Sequence, residues 1–171
     1  WTPSNGYGNN AIRSNSGYSP NQTTTFITGT YCAAIDVNGS LSQVFTNDCS
    51  YFATLSWKCK QRGGYSDIPY AVLIDGERIF YETFPVGTSE VHYRTVEDIL
   101  LRPGEHTLTF QTFATIDRTL FLDDVSLEIV SRAKSGDFDI DPIGRQFPVP
   151  GGCFPEPVVR YGGTLLVKDT D

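Results

Sequence analysis

The 171-residue chain contains only two histidines, four cysteines with no Cys-x-x-Cys spacing, and no apolar run long enough to cross a membrane. The first two scarcities argue against a zinc site, which needs clustered Cys and His ligands, and the third argues against a membrane span. Basic residues are outnumbered, 13 Lys and Arg against 20 Asp and Glu, giving a net charge of -7 and a pI near 4.7. A nucleic-acid partner needs a basic footprint to neutralise phosphates, so that class is set aside, while acidity favours solubility and cation binding. Neither a long helical period nor a spacing such as G-x-S-x-G or H-E-x-x-H occurs. Lacking a recognisable nucleophile or acid/base pair, the chain is expected not to be an enzyme.

What is present points to β-structure. Aromatic residues make up 13% of the chain, with 16 Gly and 10 Pro. Rings and β-branched residues fill sheet faces while Gly and Pro punctuate them, so many short strands and turns are expected. The length fits one ordinary domain plus an extension. Trp1 is not a translation start, so a preceding or processed segment is expected. Two acceptor sequons, at Asn21 and Asn38, lie in turn-like surroundings that accommodate glycans, and together with the cysteines they point to a secreted protein.

Along the chain, residues 1–29 are rich in Asn, Ser, Thr and Gly and read as loops. Strand-like runs from Tyr31 to Val37 and Leu41 to Phe45 flank Asn38-Gly39, a strong hairpin signal. Pairing about that turn brings Cys32 near Cys49 and favours a disulfide between them, although four cysteines allow three full pairings. From Tyr51 to Arg62 the pattern alternates: Tyr51, Ala53, Leu55, Trp57 and Cys59 suit a core, and Phe52, Thr54, Ser56, Lys58, Lys60 and Arg62 lie on a polar, basic face. That face is either solvated or the floor of a polar binding surface. The following loop presents Arg62, Tyr65 and Asp67 together.

After Pro69, the run Tyr70 to Ile74 turns at Asp75-Gly76 into Arg78 to Phe84, which suggests a meander. Two further strands, Glu90 to Leu101 and His106 to Phe113, flank a Pro-Gly turn, and Thr107 to Val130 reads as two strands joined by a short polar turn. About eight alternating strands suit an all-β, two-sheet antiparallel jelly-roll sandwich. His92 and His106 read as strand residues, with a turn hydrogen bond for His106. The paired acids Asp123 and Asp124 fall inside a strand suited to a sheet interior. An ionised carboxylate there needs a compensating partner, so Asp123 is expected to ligate a structural calcium, unless both acids cap a strand end in water. Asp137, Asp139 and Asp141 lack the spacing of a calcium loop and read as a solvated linker.

The ordered set W-T-P-S-N-G-Y-G, G-S-L-S-Q-V-F, A-V-L-I-D-G, P-G-E-H-T-L-T-F and T-L-F-L-D-D-V-S-L resembles a carbohydrate-binding module of the galactose-binding-like jelly-roll type, over residues 1–130. The resemblance implies a glycan ligand and a structural calcium at the first acid of L-D-D-V, which is Asp123, with other ligands from an early strand. The early strand that normally precedes the tryptophan is not in this sequence, which implies an open sheet position filled by another chain, by the C-terminal extension, or once by a disordered or cleaved segment. Residues 131–171 form that extension, a Pro/Gly-rich arm that links to a neighbouring module or docks on another subunit.

The resulting expectation is a secreted, non-catalytic glycan-binding module. Arg62, Tyr65 and Asp67 are its expected contacts, joined by Tyr7 and Tyr18 unless these tyrosines merely pin loops, since rings cover the apolar face of a sugar while polar groups meet its hydroxyls. The alternative is a structural subunit of an extracellular filament, sheath or appendage that self-associates through residues 131–171. A third reading makes the chain an accessory domain of a larger glycosidase.

Overall fold

The computed structural model describes residues 1–4, 11–14, 27–28, 31–62, 67–84, 90–116, 118–132, 138–140 and 146–148. The described strands are β1 (Thr2–Ser4), β2 (Ala11–Ser14), β3 (Tyr31–Ile35), β4 (Ser40–Asn47), β5 (Tyr51–Gln61) and β6 (Ile68–Ile74). They continue with β7 (Glu77–Phe84), β8 (His92–Leu101), β9 (Gly104–Thr112), β10 (Leu120–Arg132), β11 (Phe138–Ile140) and β12 (Gln146–Pro148). A first sheet has the order β1-β4-β9-β6-β7 and a second the order β2-β3-β10-β5-β8, both antiparallel throughout. This is the expected jelly-roll sandwich. Among the described residues, strands β11 and β12 pair with each other as a separate two-stranded sheet.

Alternation places the core between the sheets. Of the expected inward positions of β5, Ala53, Leu55, Trp57 and Cys59 are fully buried, whereas Tyr51 at the start of the strand is only partly buried and donates its hydroxyl to Asp48. The four buried residues meet Tyr70, Val72, Leu108 and Phe110 of the first sheet in one cluster. Trp57 packs edge-on against Phe80 and Phe110, with ring centroids at 5.0 and 5.6 Å, and so joins the two layers.

The route of the chain differs from the local reading. Asn38 has the positive φ of a tight turn, 49°. Yet β3 lies in the second sheet and β4 in the first, so Asn38-Gly39 carries the chain across the sandwich and does not close a hairpin. The Cys32–Cys49 disulfide expected from that hairpin does not form: Cys32 is a buried free thiol, as is Cys59. Cys49 is disulfide-bonded, and Cys153 lies outside the described residues.

The turn between β8 and β9 and the segment between β9 and β10 also change sheets, so neither is a hairpin. Only part of the expected meander survives, the β6–β7 hairpin with φ of 54° at Asp75 and 82° at Gly76. Residues 1–29, expected to be loops, include β1 and β2, which occupy edge positions beside β4 and β3.

Two side-chain clusters fix the ends and sides. His106 is held at both ring nitrogens, by Asp75 Oδ2 at 2.7 Å and by the Arg102 carbonyl in the β8–β9 turn at 2.6 Å, which is the expected turn contact. At the open side of the sandwich, Arg94 of β8 grips Glu82 of β7 with two donors, Nε at 2.8 Å and Nη2 at 2.6 Å. Tyr70 donates to the same carboxylate at 3.1 Å. These bonds, first among them those from Arg94, hold the Glu82 carboxyl below its ordinary pKa. No helix among the described residues is long and apolar enough to cross a membrane.

Candidate functional site

Of the expected sugar contacts, Arg62 and Asp67 flank residues 63–66 at one end of the sandwich. The Arg62 amide donates to the Thr119 carbonyl at 3.1 Å. Arg118 donates to the Asp67 carbonyl and lies 3.9 Å from its carboxylate. The structure thus gathers Arg62, Asp67 and Arg118. Tyr65, Tyr7, Tyr18 and the sequon residue Asn21 lie outside the described residues. Asn38 is exposed at its turn, open to solvent as a glycan acceptor must be.

The outer face of the first sheet holds a ring pair that the sequence reading passed over. Tyr70, Val72, Phe110 and Thr112 point inward, so alternation turns Ala71, Gln111 and Phe113 outward. Register aligns Ser40, Gln111, Ala71 and Tyr81 in one row across β4, β9, β6 and β7. Tyr81 is 50% exposed and Phe113 39%, with ring centroids 6.3 Å apart. The Arg78 guanidinium lies over the Tyr81 ring at 5.3 Å. Hydroxyls continue the face, with Ser42 Oγ and Thr109 Oγ1 2.9 Å apart. The arrangement offers apolar ring surface bordered by short polar groups. Its signal in the sequence was an aromatic at an outward position of an alternating strand.

The outer face of the second sheet is organised by charge. Asp123 and Lys58 are direct cross-strand partners. Consecutive strand residues point to opposite faces, which would drive Asp124 into the core. A β-bulge between Asp123 and Ser126, with Asp124 at φ 47°, prevents this. Aspartate tolerates that left-handed backbone better than most residues, and the extra bulge residue re-aims the side chain. Both carboxylates then reach Thr28. Asp123 Oδ2 accepts from the Thr28 amide at 2.8 Å and its hydroxyl at 2.7 Å, and Asp123 Oδ1 accepts from the Asp124 amide at 2.9 Å. Lys58 Nζ donates to Asp124 Oδ2 at 2.7 Å, and that bond holds the lysine above its ordinary pKa.

Calcium takes about six to eight oxygen ligands. No group of three metal-ligating side chains occurs among the described residues. Asp123 instead has hydrogen-bond donors on both oxygens, and an ammonium stands on Asp124, where a divalent cation would meet a like charge. The described residues do not fit the expected calcium at Asp123. Nor is the polar face of β5 uniformly solvated. Lys60 is buried opposite Phe121, and burial lowers its pKa. The Cys32 thiol on the same sheet is pushed up to about 11, first by burial and then by Asp123.

No family model and no curated protein matches this chain. Among solved structures, the TmCBM61 module in complex with beta-1,4-galactotriose superposes with a TM-score of 0.51 at 12% identity, over 72% of this chain and 90% of that one. A family 35 carbohydrate-binding module from an environmental isolate gives 0.48 at 19% identity, over 74% of this chain and 93% of that one. The CBM22-1 xylan-binding domain of Xyn10C from Paenibacillus barcinonensis gives 0.48 at 12%, over 74% and 85%. The likeness is one of fold, a two-sheet antiparallel jelly-roll sandwich.

Proposed function

We propose that this chain is a non-catalytic, secreted carbohydrate-binding module that takes its glycan on the outer face of the first sheet. The observation that carries the proposal is the solvent-facing pair Tyr81 and Phe113, 6.3 Å apart, with Arg78 and the Ser42–Thr109 hydroxyls beside it. Rings of this kind cover the apolar side of a pyranose, and the polar border meets its hydroxyls. Exposed apolar groups gathered on an otherwise polar sheet face are a common mark of a binding surface. Fold likeness to a module solved with a galactotriose supports the reading. The disulfide at Cys49 and the exposed sequon at Asn38 support the secreted location.

A panel of soluble polysaccharides in affinity gel electrophoresis tests it, followed by calorimetry on the best ligand. Tyr81→Ala and Phe113→Ala are each expected to weaken binding about tenfold, the scale of losing one central aromatic contact. Tyr65→Ala addresses the rival loop beside Arg62 and Asp67. Retained binding in both ring variants with loss in Tyr65→Ala moves the site to that loop. A chain that binds no glycan and runs as a large assembly favours the structural-subunit alternative.

A further inference from the structure

We infer that Lys58 is the resident cation of the β10 acid pair, so that this acid pair needs no divalent metal for its stability. Three independent features place the ammonium there. Lys58 and Asp123 are aligned by β5–β10 register, before any side-chain contact is considered. The left-handed bulge at Asp124 then turns the second carboxylate onto the same outer face, where Lys58 Nζ meets Asp124 Oδ2 at 2.7 Å. The neighbouring donors are committed as well: Thr28 gives its amide and hydroxyl to Asp123 Oδ2, and its hydroxyl also reaches Asp124 Oδ1 at 3.1 Å.

Charge accounting explains why one ammonium suffices. Asp123 is 9% exposed and carries the greater desolvation cost, but three hydrogen bonds from neutral donors meet it. Asp124 is far more exposed and needs only a partner to offset repulsion from Asp123. A lysine supplies a single, strongly hydrated point charge on a flexible stem, which suits a rim position at the edge of such a pair. A calcium ion would have to displace that ammonium or sit beside it, and would need oxygens now accepting hydrogen bonds. The inference concerns stability and does not rest on the glycan face, which lies on the opposite sheet.

The test is thermal unfolding of the full chain, alone, with a chelator, and with millimolar calcium chloride. The wild-type midpoint is expected to move by less than about 1 °C across the three conditions. Lys58→Ala is expected to unfold about 2–3 °C lower, the scale of losing one surface ion pair beside a like charge, and Lys58→Arg to stay near wild type in all three conditions. A wild-type midpoint that falls on chelation, or rises by about 3 °C or more with calcium, overturns the inference. So does a Lys58→Ala variant as stable as wild type. If Lys58→Ala fails to fold, calorimetric titration of calcium into the chelator-treated wild type decides the matter: absence of binding heat supports the inference and saturable heat refutes it. Glycan binding measured in the same samples separates the two readings, since its loss without a calcium effect counts only against the proposed function.

Discussion

The two outer faces of this sandwich differ in how their polar groups are used, although each exposes a tyrosine, Tyr81 on the first sheet and Tyr93 across from Lys58 on the second. On the first sheet Tyr81 and Phe113 stand in solvent with a cation and hydroxyls beside them. On the second sheet Asp123, Asp124, Lys58 and Thr28 close on one another. A face whose polar groups are already paired gains little from a ligand, because each new contact must replace an existing bond. A face of exposed rings has surface to bury and little to give up. If the glycan binds at Tyr81 and Phe113 as proposed, charged residues in a strand need not mark the binding side of a sheet.

The largest effect expected is on the charged face. Asp123→Ala removes the acceptor for the Thr28 amide, the Thr28 hydroxyl and the Asp124 amide together. Leaving donors unsatisfied costs about 1–3 kcal/mol, so a loss of about 2 kcal/mol and a midpoint drop of roughly 6 °C are expected. Glycan affinity per folded molecule should stay unchanged. A stable Asp123→Ala variant with impaired binding inverts the assignment of the two faces.

A smaller effect is expected at the seam between them, where Glu82 of the first sheet meets Arg94 of the second. The Arg94 donors lower the folded-state pKa of Glu82 below its ordinary value of 4.5. A depressed carboxylate contributes stability above the unfolded-state pKa and loses it as pH falls through the folded one. Unfolding midpoints measured from neutral pH downward should therefore fall below about pH 4.5, and Glu82→Gln should flatten that acid limb while lowering the neutral plateau. Parallel curves for the two proteins rule out a role for this pair in holding the seam.

How much of this was legible follows from what each signal encodes. Alternation along β5 gave its inward set from Ala53 to Cys59, because period two is written residue by residue, but it did not show that Tyr51 lies beyond the edge of the core. Asp75-Gly76 gave its hairpin, because positive φ at both positions selects those residues. Asn38-Gly39 carries the same local signal and yet crosses between sheets, since a turn's backbone geometry does not state where the following strand finds its partner. That missing long-range information also misplaced Cys32. The acid pair was visible, but its partners were not: Thr28 is 95 residues away from Asp123. Tyr81 and Phe113, on strands brought together through β6, could be paired only once the sheet order was known.

The smallest expected effect is the sharpest test of the comparison. Tyr81→Ser and Phe113→Ser should each change unfolding free energy by no more than about 0.5 kcal/mol, the usual range for surface substitutions away from structural features. The reason is geometric: both rings are half-exposed or nearly so, and neither belongs to the core cluster between the sheets. One neighbour complicates this. Ala71 is fully buried although it points outward between Tyr81 and Gln111, so the face is covered there. Fully exposing a single methyl costs about 0.8 kcal/mol, and losing one ring bares the Ala71 methyl only in part, which keeps the expected change small. Urea unfolding with fixed slope measures it directly. A cost of about 2 kcal/mol or more would mean that the rings serve chiefly as a lid over Ala71, and their exposure would then no longer point to a ligand. A near-neutral result combined with a tenfold loss of glycan affinity separates binding from stability on this face.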